Sequence, residues 1–257
     1  MTAPIAYSTP ASREELKFPE VKLGDVGNKV KRVQEWLCLN DCPVNIDKSW
    51  GPATNRALNR FANVVGLPFN DTLTLELWDK LTAPMRLALL GPIQPDVKNV
   101  PTSDLMRDIG LIHFNCKGKE IGGNNRGPWV RLYMDGREGT QWAWCAGFVS
   151  FLMKQACYFK GSETPIPHSI SASGMIRDAK AKGRYIEGRD LTNLIPVTIF
   201  ALKGGDTGYK HVGLAISPKD GSVNTIEGNT NGGGSADGDG IYRRTRAIMS
   251  SDYIYLN

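Results

Sequence analysis

The spacing of apolar residues changes along the chain, and this change constrains the fold more than any other feature. Five stretches have the three- and four-residue spacing that predicts amphipathic helices, and they cover residues 26–40, 53–65, about 72–81, about 104–115 and 144–158. Later runs of strand type are separated by glycine-rich turns, and we predict strands at 197–202, 211–217 and 222–227. Helices followed by antiparallel strands predict an α+β fold.

A proline-rich segment divides these predicted elements into two groups. Residues 91–101 contain three prolines and show no periodicity, which is typical of an extended linker. We therefore predict a small three-helix domain over residues 1–86, a linker over 87–102, and an α+β domain with an antiparallel sheet over 103–257.

Each of the first three helices has an apolar face that we expect to form the core of the helical domain. Asp25 precedes the first helix and is a candidate N-cap, because its carboxylate can accept hydrogen bonds from free backbone N–H groups. The residues predicted to be buried are Val26, Val30, Val33 and Leu37, then Ala57, Leu58, Phe61, Val64 and Val65, and finally Leu73, Leu77, Trp78 and Leu81.

Composition and charge exclude several classes of protein. The 257 residues are 41% hydrophobic and 22% charged, with a mean hydropathy of −0.29, as in soluble globular proteins. The longest apolar stretch, 194–202, is too short to span a bilayer, so we expect no membrane insertion. The net charge of +5 is spread thinly, so we expect no nucleic-acid partner, and we expect a monomer. The first 18 residues lack a basic segment followed by an apolar one, so no secretory signal is predicted.

The cysteines and histidines of the chain match no metal-binding motif. There are five cysteines and three histidines, with no CxxC pair and no HExxH sequence, and the odd number of cysteines leaves at least one free thiol. No cluster of acidic residues lies near Cys145 in the sequence. We therefore predict no metal ion and no cofactor.

Four residues in the second half of the chain form a candidate catalytic set. Cys145 begins an apolar helix, where the partial positive charge of a helix N-terminus stabilises a thiolate. His211 opens the alternating run 211–217, on the face that it shares with small residues, and is a candidate base. On the next strand, Glu227 and Asn229 are two residues apart, so we expect both on one face, where one of them can orient the imidazole.

The first part of the chain resembles the peptidoglycan-binding family of three-helix modules. The matching segments are LGDVG at 23–27, VKRVQEWL at 30–37, GPAT at 51–54 and LWDKL at 77–81. Members of this family bind bacterial cell-wall material without cleaving it. The resemblance therefore implies a targeting module whose partner is peptidoglycan, although each matching residue can also be explained by folding alone.

The second part resembles the CHAP domain, a class of cysteine- and histidine-dependent amidohydrolases and peptidases with a papain-like fold. The matching segments are WCAGFVS at 144–150, HVGLAI at 211–216, IEGNTN at 226–231 and, upstream, EIGGNNRG at 120–127. The resemblance implies that Cys145 is the nucleophile, His211 the general base and then acid, Glu227 its orienting residue, and Asn229 a further polar residue of the active site. It also implies that Trp144, Glu120 and Asn125 bind substrate.

Together the two resemblances predict a peptidoglycan hydrolase that cuts an amide bond, such as a phage or prophage endolysin. Such a protein is made in the cytoplasm and acts in the periplasm or cell wall after release by a holin or a secretion system. Three alternatives remain open at this point: a secreted antibacterial effector with the same chemistry, a non-catalytic wall-binding or phage structural protein, and a papain-like peptidase that acts on proteins.

Overall fold

The chain folds into a group of helices and one antiparallel sheet, which confirms the predicted α+β class. The structure, a computed structural model, describes residues 6–69, 71–92, 96–188, 198–204, 208–219, 221–233, 235 and 237–256. Within them, the α-helices are Pro10–Leu16 (α1), Asn28–Leu39 (α2), Pro52–Val65 (α3), Leu75–Leu81 (α4), Ala83–Leu90 (α5), Thr102–Asn115 (α6), Pro128–Tyr133 (α7), Cys145–Lys160 (α8) and Ala172–Ala181 (α9). The strands are Tyr185–Ile186 (β1), Thr198–Lys203 (β2), Tyr209–Lys219 (β3), Ser222–Thr230 (β4), Gly240–Ala247 (β5) and Ser251–Ile254 (β6). Across these ranges no helix has the length and apolar composition that a membrane span requires.

The three helices predicted for the first part of the chain are present as α2, α3 and α4, and the sequence analysis missed α1 and α5. The predicted N-cap is wrong, because Gly27 occupies that position and the carboxylate of Asp25 accepts the backbone N–H of Lys22 instead. Two of the predicted core residues, Val26 and Val64, are 77% and 79% exposed. Val26 precedes the helix, so the helical period does not apply to it, and Val64 lines an open groove between α3 and residues 116–119.

The sheet has the strand order β1-β6-β2-β3-β4-β5, and every neighbouring pair is antiparallel. Strands β2, β3 and β4 correspond to the three predicted strands, except that residue 197 lies outside the described residues. Alternation along β3 sends Val212, Leu214 and Ile216 into the main core. The opposite face is buried as well, since Ala215 joins a second cluster with Phe200, Val223 and Tyr253.

Direct contacts join the helical part of the chain to the α+β part. The Tyr7 ring lies 5.4 Å from that of Phe151 on α8, and one continuous apolar core contains residues of both parts. The side-chain amide of Gln155, also on α8, donates to the carbonyl oxygen of Ala88 on α5 at 2.7 Å. The predicted linker over 87–102 is shorter than expected, because its first residues belong to α5 and Thr102 begins α6.

A buried ion cluster centred on Arg131 of α7 adds charge interactions to this contact. The Arg131 guanidinium bonds Glu15 of α1 at 2.6 and 2.9 Å and Glu35 of α2 at 2.7 and 3.1 Å. It also bonds Glu138 at 2.7 Å, and Lys31 of α2 reaches the other oxygen of Glu138 at 2.5 Å. Two helices of the first part are thereby paired with one helix of the second.

We expect Arg131→Ala to lower the free energy of unfolding by about 3–5 kcal/mol, because it leaves buried carboxylates without their partner. The matched control is Arg107→Ala, whose ion pairs with Asp104 and Asp108 lie at the surface. The control should cost about 1 kcal/mol or less. Urea denaturation of the full chain measures both variants, and equal losses would contradict a central role for the Arg131 cluster.

Candidate active site

Cys145 is the first residue of α8, which confirms its predicted place at a helix N-terminus. The residue before it, Trp144, occupies the N-cap position, and its side chain makes no capping hydrogen bond to the helix. The partial positive charge of the helix end is therefore available to a thiolate at Cys145. The residue is 4% exposed, so only a small part of it reaches the surface.

Two glycines allow the N-terminal turn of α8 to pack closely on its neighbours. A Cβ added to Gly147 would lie 2.6 Å from the backbone oxygen of Tyr133, so any side chain there would push α8 away from α7. A Cβ added to Gly228 on β4 would lie 2.8 Å from ring atoms of both Trp144 and Phe148. Gly228 of β4 therefore lies directly against the N-terminal turn of α8.

His211 lies wholly buried on β3, beside the carboxylate of Glu227 and near the side chain of Cys145. Its Nε2 is 2.9 Å from Oε2 of Glu227, and its Nδ1 makes no hydrogen bond of normal geometry to any described residue. Nδ1 is therefore the ring nitrogen left to face the thiol of Cys145. Burial alone would lower the pKa of His211, but the side chains of Cys145 and Glu227 outweigh burial and raise that pKa to about 9.

Glu227 has hydrogen-bond donors at both carboxylate oxygens. Besides His211, it accepts hydrogen bonds from the hydroxyl of Thr225 at 2.5 Å and from Nε and Nη2 of Arg246 at 2.9 and 2.6 Å. Burial would raise the pKa of Glu227, but the bonds from His211, Arg246 and Thr225 outweigh burial and lower that pKa to about 2. The carboxylate is thus ionised at neutral pH and can hold the imidazole in one orientation.

Besides Thr225, Arg246 is a residue of this cluster that was not predicted from the sequence. It lies on β5, which was not predicted, and the pairing of β4 with β5 places it opposite Val223. Alternation along β4 puts Val223 on the same face as Thr225 and Glu227. Recognising the alternating residues 241–246 as a strand would have provided the missing signal.

Asn229 is fully buried, and within the part of the chain that the structure describes neither polar atom of its side-chain amide has a hydrogen-bond partner. The ladder between β4 and β5 shifts register after Glu227, and Asn229 adopts a left-handed backbone with φ of 57°. This irregularity interrupts the simple alternation that predicted Glu227 and Asn229 on one face. A strained residue with an unsatisfied buried amide, next to a glycine that contacts Trp144, is typical of a functional site.

Glu120, Asn125 and Trp144 lie in contact with one another, but not in the way expected for substrate-binding residues. The Trp144 indole donates to Oε1 of Glu120 at 2.8 Å, and the backbone N–H of Asn125 donates to Oε2 at 2.7 Å. The side chain of Trp144 is wholly buried and stacks on Tyr133, with ring centroids 5.5 Å apart. This placement argues against substrate contact by Trp144 and Asn125 and indicates that the three residues position the N-terminus of α8.

The remaining histidines have other surroundings. His113 is buried between the Tyr133 hydroxyl at 2.8 Å and Gln155 at 3.0 Å, as a core residue, and His168 lies 3.1 Å from Asp135 at the surface. Among the described residues, no group of three or more His, Cys, Asp or Glu side chains is arranged to hold a metal ion. All five cysteines are free thiols. Independence of metal ions stays a prediction.

Comparisons with protein-family models, with curated proteins and with solved structures found no match to this chain. The two resemblances seen in the sequence therefore stay expectations. The geometry of Cys145, His211, Glu227 and Arg246 is itself the support for a catalytic role.

We expect NMR titration of the three histidine rings to give His211 a pKa near 9. In Glu227→Gln this pKa should fall, because the variant removes the charge that opposes the effect of burial. His113 is the internal reference, since burial lowers its pKa to about 4 and no contact links it to Glu227. A pKa of His211 near 6.5 in both proteins would show that the contact with Glu227 does not exist in solution.

The same two pKa shifts predict how stability depends on pH. The pKa of His211 is raised from 6.5, so its contribution to the free energy of unfolding is complete below about pH 6.5. This contribution is lost as the pH rises through about 9. The pKa of Glu227 is lowered from 4.5, so its contribution to the free energy of unfolding is complete above about pH 4.5. This contribution is lost as the pH falls through about 2. The difference in unfolding free energy between the wild-type chain and Glu227→Gln should be largest between pH 4.5 and 6.5. A difference that does not change with pH would contradict the assignment.

Proposed function

We propose that this protein is a peptidoglycan hydrolase that cuts an amide bond with Cys145 as the nucleophile. The observation that supports it most strongly is the buried series of hydrogen bonds from Arg246 through Glu227 to His211, whose pKa is raised in part by the nearby side chain of Cys145. A nucleophile, a base and a group that orients the base are the parts that covalent amide hydrolysis requires.

The reaction follows from the protonation of these groups. Nδ1 of His211 takes the proton of the Cys145 thiol, and the sulfur attacks the amide carbonyl carbon. The C–N bond then breaks as the departing nitrogen takes this proton from Nδ1. This step forms a thioester and releases an amine. A water molecule then gives a proton to Nδ1 and attacks the thioester carbonyl carbon, which releases a carboxylic acid and returns Cys145 to its starting state.

Arg246 has a positioning role in this mechanism, because it contacts Glu227 and not the reacting atoms. Its two bonds orient the carboxylate plane, and that plane orients the imidazole through Nε2. With Nε2 occupied, Nδ1 remains free to exchange protons with the sulfur and with the leaving nitrogen. A planar guanidinium suits this role better than a lysine, because it can bond both carboxylate oxygens at once.

The substrate class rests on different support from that for the chemistry. Residues 20–82 resemble wall-binding modules, and residues 103–257 resemble wall-cleaving amidases, so both parts of the chain point to one polymer. We therefore propose bacterial peptidoglycan as the substrate and the periplasm or cell wall as the place of action. The products of the reaction identify which amide bond is cut.

The near-complete burial of Cys145 favours one rival, a non-catalytic wall-binding protein that retains the fold. The free energy needed to bury the charges of the candidate active site argues against a non-catalytic protein. Burying the charges of Glu227 and His211 costs several kcal/mol per ion before their contacts are counted, and apolar residues of similar size often stabilise a core better. The loss of activity on mutation decides between the two.

We expect Cys145→Ala and His211→Ala each to lower the rate of wall hydrolysis at least about a thousandfold, because each removes one member of a single catalytic unit. The matched control is Cys157→Ser, a buried thiol on the same helix that contacts neither His211 nor Glu227. It should keep most of the activity. Amines released from purified sacculi measure the rate, and mass spectrometry of the fragments identifies the bond.

Two results would contradict the proposal. Full activity in Cys145→Ala would exclude the thiol as the nucleophile. The second result is that the protein cleaves casein, leaves sacculi intact, and loses the cleavage of casein in Cys145→Ala. This result would support the mechanism but would show that the substrates are proteins and not peptidoglycan.

A further inference from the structure

Glu138 of the α+β part lies at the contact between the two parts of the chain and accepts hydrogen bonds from both. Its Oε1 accepts from Nζ of Lys31 on α2 at 2.5 Å. Its Oε2 accepts from Nη1 of Arg131 at 2.7 Å and from the backbone N–H of Gly127 at 2.9 Å. Burial would raise the pKa of this carboxylate, but its three partners outweigh burial and lower that pKa to about 2. Lys31 thus joins the helical part directly to a carboxylate that is ionised at neutral pH.

The bond from Gly127 connects Glu138 to a closed loop over residues 120–127. The backbone N–H of Ile121 donates to the carbonyl oxygen of Arg126 at 3.0 Å, which closes the loop. Gly127 has a φ of 109°, and a Cβ added there would lie 2.8 Å from Cγ2 of Ile121 and 3.0 Å from its backbone nitrogen. A residue with a side chain at this position would therefore displace the loop from its place beside Glu138.

Asn125 provides a second attachment for the same loop. Its carbonyl oxygen accepts the backbone N–H of Gly139 at 2.7 Å, and its side-chain amide donates to the carbonyl oxygen of Thr140 at 3.2 Å. The residue is 1% exposed, so these bonds are shielded from water. Residues 138–140 therefore hold the loop at two points, Gly127 and Asn125.

Glu120 connects this loop to the helix that begins at Cys145. Its Oε2 accepts the backbone N–H of Asn125 at 2.7 Å, and its Oε1 accepts the indole N–H of Trp144 at 2.8 Å. Trp144 occupies the N-cap position of α8 and is wholly buried. A displacement of the loop would therefore move Trp144 and, with it, the first turn of α8.

We propose that Lys31 and Glu138 are positioning residues for the thiol of Cys145, so that the helical part helps to place the nucleophile. Both act through other residues, because Lys31 holds Glu138, Glu138 holds the loop 120–127, and the loop holds Trp144. The role of Cys145 as the nucleophile rests on the proposed function. A misplacement of about 1 Å can lower the rate of a reaction about a hundredfold, so a small shift of α8 is enough to matter.

Two variants of the full chain remove this contact from opposite sides, and each has a matched control. Lys31→Gln removes the charge that the helical part supplies, and its control is Lys29→Gln, an exposed lysine on the same helix. Glu138→Gln removes the carboxylate charge, and its control is Asp79→Asn. Asp79 pairs with Arg86 at 2.7 Å inside the helical part, and its side chain is 14% exposed, against 17% for Glu138.

We expect Lys31→Gln and Glu138→Gln each to slow the alkylation of Cys145 by iodoacetamide about tenfold, because the sulfur loses its place beside the imidazole. Mass spectrometry of the digested protein identifies the labelled cysteine. In NMR titrations the pKa of His211 should fall from about 9 in both variants, because the side chain of Cys145 helps to raise it. Both controls should match the wild-type chain in alkylation rate and in this pKa. A purely structural role would lower the free energy of unfolding without changing either reading.

Hydrolysis of small soluble wall fragments gives a third reading. In both variants kcat should fall about tenfold while KM stays nearly unchanged, because the contact acts on the nucleophile and not on the binding of substrate. A rise in KM at constant kcat would overturn the inference, since it would place the effect in substrate binding.

The two proposals fail in different ways. If alkylation and the pKa of His211 change as expected but the wild-type protein cleaves no wall fragment, the proposed function is wrong and the positioning roles stand. If Lys31→Gln and Glu138→Gln are alkylated at Cys145 at the wild-type rate, the inference is wrong and the hydrolase proposal is unaffected. Equal slowing in the two controls would also overturn the inference, because any loss of charge in the helical part would then have the same effect.

Discussion

The buried guanidinium of Arg131 is the interaction on which the arrangement of the two parts most depends. It contacts Glu15 and Glu35 from the helical part and Glu138 from the α+β part, so its removal would take a partner away from charges on both sides. The short helix α7 that bears it also presents Trp129 to the groove and Tyr133 to Trp144. One six-residue helix thus contacts the ion cluster, the groove and the residue that precedes Cys145.

The candidate active site depends on a similar principle at a smaller scale. Glu227 is buried and ionised because Arg246, Thr225 and His211 supply donors to both of its oxygens. The pKa of His211 is in turn raised to about 9 by Glu227 and by the Cys145 side chain, which together outweigh the effect of burial. Arg246 therefore stabilises the charge of Glu227, and Glu227 stabilises the charge of His211. The orientation of the base thus depends on Arg246, which is not next to it.

The sequence predicted the parts of the fold that have local causes. Helices α2, α3 and α8 and strands β3 and β4 have strong periodicity, and the position of Cys145 at a helix end follows from the apolar run after it. Errors appeared where the cause is long-range. Val64 has the spacing of a core residue yet lines an open groove, and the partner of Glu227 lies on a strand that pairs with β4 only in three dimensions. Charge pairs between distant segments have no periodicity to reveal them.

Packing between the two parts changes how a wall-binding module would act. A flexible tether raises the local concentration of an enzyme at its substrate, and its benefit depends on linker length. Here Tyr7 packs against Phe151, and Gln155 bonds the carbonyl of Ala88, so the helical part is placed against the same helix that begins at Cys145. Wall material held by the helical part would then be presented to the nucleophile at a fixed distance and angle. A fixed orientation of the wall material, in addition to its local concentration, would then raise the rate of cleavage. Reacting groups that are already held in position lose less entropy on the way to the transition state.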